Sequence, residues 1–185
     1  MTAHAVLVAN SIQAIDIGAF NRSAICSGSD LDNGNVVRLD SISSTAGLGE
    51  VWVVTKAATT GSLCKNLWMV DVPENPAALT ADGEIFLGLS EDPRNHYNLA
   101  GAIVDVFKVK VGDIVTLTAD AFTGAKGASD VYANAGDASF ELAWSTTQAA
   151  DSLSFAYLAT TYIPIGNAAV SSGRVTAYKL VCVAE

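Results

Sequence analysis

Two histidines, His4 and His96, and three cysteines, Cys26, Cys64 and Cys182, are all the imidazole and thiol chemistry this chain carries. Nucleophilic catalysis needs a hydroxyl or thiol beside a base that a third group orients. His4 sits at a terminus expected to be mobile, a poor place for an oriented base. His96 falls in Glu91-Asp92-Pro93-Arg94-Asn95-His96-Tyr97, a polar, turn-like stretch, and reads as a solvated loop residue. No Gly-x-Ser-x-Gly elbow is present. The cysteines are odd in number and lack Cys-x-x-Cys spacing, so they read as small buried hydrophobes of a chain made in a reducing compartment. Cys182 lies within the apolar run at 180–184.

Metal and acid chemistry is also thinly supplied. Asp30-Leu31-Asp32-Asn33-Gly34-Asn35 faintly suggests a calcium loop, but its glycine falls one place early. Ser41 stands where the loop needs a bidentate glutamate. The same residues suit a tight hairpin turn, because Asn and Gly tolerate positive φ. Two histidines without paired cysteines give a structural zinc little to build on. Glu91 and Asp92 are adjacent and would point to opposite faces of a strand, so they are not a hydrolytic pair. Gly124-Ala125-Lys126-Gly127 is too short to cradle phosphate and no helix pattern follows it. Neither a cofactor nor a metal is expected, and no enzyme activity.

The surrounding elements are strands. Windows 35–42, 50–57, 66–72, 84–89, 103–109, 113–119, 129–133, 139–144, 152–162 and 174–183 are rich in β-branched and aromatic residues. In 103–109, Val104, Val106 and Lys108 oppose Ile103, Asp105 and Phe107, which predicts two distinct faces. The only helical candidate is one turn near 75–81. Turn residues punctuate the strands at Asp32-Asn33-Gly34-Asn35, Ala81-Asp82-Gly83 and Val111-Gly112-Asp113. Residues 123–137 read as a surface excursion or a long hairpin. Trp52, Trp68, Phe86, Phe107, Trp144, Phe155, Tyr157, Tyr162 and Tyr178 read as core and cross-strand packing rather than a sugar platform. The sum is an all-β fold, a β-sandwich or barrel-like single domain with an extended N-terminal arm and little or no helix. Residues 1–30 form the arm or a peripheral strand, and residues 31–185 the β-rich domain.

Composition narrows the partners. Half of the 185 residues are hydrophobic and 16% charged, too apolar for disorder. A domain of this length can bury roughly 70% of its unfolded surface and needs no staple. Ten basic residues against nineteen acidic give a formal charge of −9, which repels nucleic acid and anionic membrane alike. The start, Met1-Thr2-Ala3-His4, lacks a basic leader region, so no secretory signal is expected and Asn21-Arg22-Ser23 is a chance glycosylation match.

Three runs carry a resemblance. Asp32-Asn33-Gly34-Asn35-Val36-Val37-Arg38-Leu39 is followed by Glu50-Val51-Trp52-Val53-Val54-Thr55-Lys56-Ala57. Later, Val111-Gly112-Asp113 leads into Ile114-Val115-Thr116-Leu117. In order and texture, residues 31–122 resemble the capsid decoration (cement) proteins of tailed bacteriophages. That resemblance implies a non-enzymatic virion protein made in the host cytoplasm. It would dock as a homotrimer on the outer surface of an assembled capsid and stabilise the major capsid protein lattice. It also implies an arm that reaches a neighbour. Here the candidate contact residues are Val6, Leu7, Val8, Ile12, Ile15, Ile17, Phe20 and Ile25, acting by added strand pairing or apolar anchoring, with ordinary core as the alternative for each. The competing readings are a head-fibre or tail component, which should show fibrous repeats, and a carbohydrate-binding β-sandwich module, which should show exposed coplanar aromatics. An acid–base hydrolase would need a dyad that the sequence does not offer.

Overall fold

Alternation of apolar residues decides which way each strand faces. The computed structural model describes residues 4–8, 12, 21–45, 47–57, 66–72, 78–79, 85–86, 93–136, 138–164 and 173–185. The described strands are β1 (Asn21–Ile25), β2 (Val36–Ile42), β3 (Trp52–Thr55), β4 (Leu67–Val70), β5 (Ala78–Leu79), β6 (Ile85–Phe86), β7 (Ile103–Lys108), β8 (Ile114–Thr118), β9 (Phe122–Thr123), β10 (Tyr132–Asn134), β11 (Leu142–Ser145), β12 (Ser154–Pro164) and β13 (Arg174–Ala184). Single 3₁₀ turns occupy Pro93–Asn95 and Ala119–Ala121. The fold is all-β, as the sequence predicts.

Five strands close a barrel in the order β1-β3-β2-β4-β7, and β7 pairs back onto β1. Only the β1 and β3 pairing is parallel; the other four are antiparallel. The remaining large layer is a six-stranded sheet, β8-β13-β12-β10-β11-β9, while β5 and β6 pair with each other. The two faces predicted for β7 are present. Val104 and Val106 point into the barrel, Ile103 and Asp105 point to solvent, and Phe107 packs toward the sheet.

Each side of the barrel wall feeds a different core. Val37, Val54, Val70 and Val106 fill the interior, where Ala24 stands opposite the bulky Trp52. A small residue facing a large one is how a narrow barrel fills without clash. On the outer side of β2 and β4, Val36, Leu67 and Met69 meet Leu117, Leu142, Phe155 and Leu180 of the sheet. Burying each such side chain contributes about 1.5–3 kcal/mol, so this shared layer fastens the barrel to the sheet. Gly112, at φ +98, sits in the link between them. Its N–H donates to Cys182 O at 2.8 Å, and the Cys182 N–H donates to Asp113 O at 2.8 Å.

The N-terminal residues, expected as an extended arm or a peripheral strand, lie against the rest of the chain where they are described. β1 is a barrel stave, so a boundary at residue 30 would cut through the barrel. Further upstream, Leu7 bridges Leu117 in antiparallel fashion. The Val8 N–H donates to Thr116 O at 2.9 Å, and the Thr118 N–H donates to Val6 O at 3.0 Å. The Val6 N–H itself finds Thr118 Oγ1 at 2.9 Å. Residues 6–8 thus lie along the outer edge of β8 as a short added strand. The physical reason is apolar: Val6 and Leu7 are 3% and 2% exposed in this chain's own core.

The Asn-Gly turn is also corrected in role. Gly34 takes φ +89 and the Asn35 N–H donates to Asp32 O at 3.1 Å, as a tight turn requires. It does not join two hairpin strands. Instead it leads from Leu31, which bridges Asn98, into β2.

Candidate functional site

His4 is oriented, contrary to the expectation of a mobile terminus. Its Nδ1 lies 2.9 Å from Asp32 Oδ1, and its ring stacks on Tyr97 at 4.6 Å between centroids. The His4 N–H donates to Arg94 O at 3.0 Å. Asp32 uses its second oxygen to accept the Ala5 N–H at 3.0 Å. Sequence could not pair residues 28 apart. Among the described residues no hydroxyl or thiol is recorded bonding the imidazole. The His4–Asp32 pair pins the entry of the N-terminal strand onto the Asp32 turn.

The calcium-loop candidate is committed internally. Asp30 Oδ1 accepts the Ala100 N–H at 2.8 Å, and Asn35 Oδ1 accepts the Asp32 N–H at 2.8 Å. Asn33 donates to Val72 O at 2.8 Å and accepts the Val72 N–H at 3.1 Å, imitating a paired strand residue. These oxygens terminate backbone donors instead of converging on a common point. Among the described residues no group of three metal-ligating side chains forms.

Among the described residues, an open cleft of about 380 Å³ is lined by residues that include Asp120, Phe122, Lys126 and Tyr178. It borders a cluster of rings from β9, β11, β12 and β13. Phe122 stacks on Trp144 at 4.5 Å and 19°, while Tyr178 meets Trp144 edge-on at 5.0 Å and 83°. Tyr157 also stands edge-on to Trp144, at 71°. Lys126 Nζ lies 4.4 Å from the Tyr157 ring centre and 5.6 Å from that of Trp144. A sugar platform needs coplanar rings with open faces; here Phe122 covers Trp144, Tyr157 and Tyr178 stand edge-on to it, and the Lys126 ammonium lies over Trp144 and Tyr157. The cluster extends the core face of the sheet past the barrel. The segment at 123–137 delivers Lys126 and is no hairpin, because β9 pairs in parallel with β11.

Comparison with protein-family models, curated proteins and solved structures found no match.

Two further titratable groups mark where polar atoms are buried. Asp71 has its carboxyl pushed above the ordinary value, first by burial and then by the Asp105 charge. Its N–H donates to Asp105 O at 3.0 Å, and Ser23 Oγ donates to Asp105 Oδ1 at 3.3 Å. Sequence missed this pair because the acids meet only where β4 and β7, 30 and more residues apart in sequence, lie side by side in the barrel wall. The Cys182 thiol is pushed up to about 12, chiefly by burial, and stays protonated and inert. Cys26 is likewise buried and free; Cys64 lies outside the described residues.

The candidate contact residues separate into groups. Val6 and Leu7 are core, and Val8 is half-buried on the β8 edge. Ile12 is half-buried against the core shared by barrel and sheet. Ile25 faces outward from β1, beside Ile103, which is 51% exposed. Ile15, Ile17 and Phe20 lie outside the described residues, as do Glu91 and Asp92.

Proposed function

We propose that this protein is a non-enzymatic virion component that binds the outer surface of an assembled bacteriophage capsid and stabilises it. One observation carries the reading. Among the described residues, the carboxylates of Asp30 and Asp32 are spent on backbone donors, whereas apolar side chains such as Ile103 and Leu158 stand exposed on strands. Such a surface suits recognition of another protein's main chain and apolar groups. The likeness of residues 31–122 to decoration proteins supports the same reading and supplies its partner, the major capsid protein lattice, and a trimeric form.

The mechanism is linkage. A body that binds only the assembled lattice shifts the equilibrium toward that lattice by mass action. Several copies joined together add avidity to modest single contacts. The test is to titrate purified protein onto undecorated expanded capsids and count bound copies by sedimentation and electron microscopy. Saturation at a stoichiometry fixed by the lattice, with a raised capsid melting temperature, is the expected result. Absence of saturable binding would overturn the proposal.

A further inference from the structure

Among the described residues, β12 loses its second neighbour partway along. Its first residues, Ser154, Phe155 and Ala156, pair with β10, and the Tyr157 N–H donates to Val131 O at 2.9 Å. The register against β13 then slips between Tyr157 and Ala159, so Leu158 is bulged out. A bulge adds local twist and turns a strand away from its neighbour. From there to Pro164, among the described residues, β12 pairs with β13 alone. Leu158 is 48% exposed and Tyr162 is 58% exposed, and Ala159 and Thr160 are exposed between them.

Open edges are ordinarily guarded by charge, proline or a covering segment. This chain covers the edge of β8 with residues 6–8. It does the reverse on β12. No charged residue occurs between Asp151 and Arg174, the longest uncharged run in the sequence. Pro164, without an N–H to donate, stands only at the end of the strand.

We propose that a second copy of this chain adds a strand along the β12 edge, with Leu158 and Tyr162 as apolar anchors. The charge pattern selects that occupant. Each copy carries −9, so two copies repel over most approaches. Along β12 from Leu158 to Pro164 they meet without opposing like charges, which cross-strand pairing penalises. A basic partner drawn by the acidic surface would gain nothing from an uncharged strand. The inference stands whether or not the protein decorates a capsid.

The test uses the full chain in sedimentation velocity over a wide concentration range, at low and high salt. Wild type assembles as concentration rises, and assembles more tightly with added salt because screening removes mutual repulsion. Leu158→Lys combined with Tyr162→Lys weakens assembly by about tenfold or more. Ile103→Lys, an equally exposed site on the barrel, leaves assembly unchanged. Far-UV circular dichroism and melting curves verify that each variant is folded. Wild type that remains monomeric, a double variant that assembles normally, or an Ile103→Lys effect of equal size each overturns the proposal. If wild type is monomeric yet the double variant loses capsid binding, the edge belongs to the lattice contact and self-association is refuted.

Discussion

The barrel returns each of its strand edges to a neighbour, whereas the six-stranded sheet handles its edges one at a time. β1 closes the barrel by pairing with β3 on one side and β7 on the other. In the sheet, β8 is covered by residues 6–8, β9 is only two residues long, and β12 beyond its bulge pairs with β13 alone among the described residues. Short edges and covered edges are both protected against stray pairing. The contrast assigns the parts different work. The barrel is a closed body, and the sheet carries the edge proposed for self-association.

The shared core offers the largest test of this division. Phe155→Ala, at a fully buried site between barrel and sheet, should cost about 3–5 kcal/mol in guanidinium unfolding. A single transition is expected, because Val36, Leu67 and Met69 of the barrel pack in that same core. Two separated transitions would show that the barrel stands without the sheet. Gly34→Ala comes next, at about 2–4 kcal/mol. It forces a non-glycine residue to φ +89 and sets its Cβ 2.5 Å from Leu117 Cδ2. The covered edge is sharpened by Thr118→Val, which leaves the buried Val6 N–H without its acceptor at a cost of about 1–3 kcal/mol. Faster amide exchange at Val6 and Val8, with the barrel amides unchanged, is the expected signature.

Asp71 gives the smallest effect and a defined sign. Its folded-state pKa is raised, so the folded chain holds the proton more readily than the unfolded chain does. Its stabilising contribution is complete below the ordinary carboxylate value and is lost as pH rises through the raised one. At neutral pH, Asp71→Asn should therefore raise the melting temperature, by on the order of 1 °C. That gain should shrink as pH falls into the window. A melting temperature unchanged or lowered at neutral pH would contradict the cause assigned to the shift.

Strand placement was legible wherever alternation was strong. β2, β7, β8, β12 and β13 all fall within a residue or two of their predicted windows. β1 was missed because Asn21-Arg22-Ser23-Ala24-Ile25 has a single fully buried side chain, Ala24, and so carries almost no period-two signal. The closure it provides, parallel to β3 and antiparallel to β7, is long-range, which no local pattern reports. Asn33 and Asn35 read as hairpin chemistry because their carboxamides' partners, Val72 and Asp32, are visible only in three dimensions. His4 was misjudged for the same reason. The uncharged run at 152–173 was in plain sight; its meaning depended on learning that β10 stops pairing at Ala156.

The most direct test of the open-edge claim is amide hydrogen exchange at residues 158–163, followed in dilute and in assembled protein. The amides directed away from β13 should exchange within about tenfold of an unstructured chain when dilute and slow sharply on assembly, while Leu117 stays protected throughout. Strong protection already present in dilute protein, or exchange that assembly leaves unchanged, would contradict it.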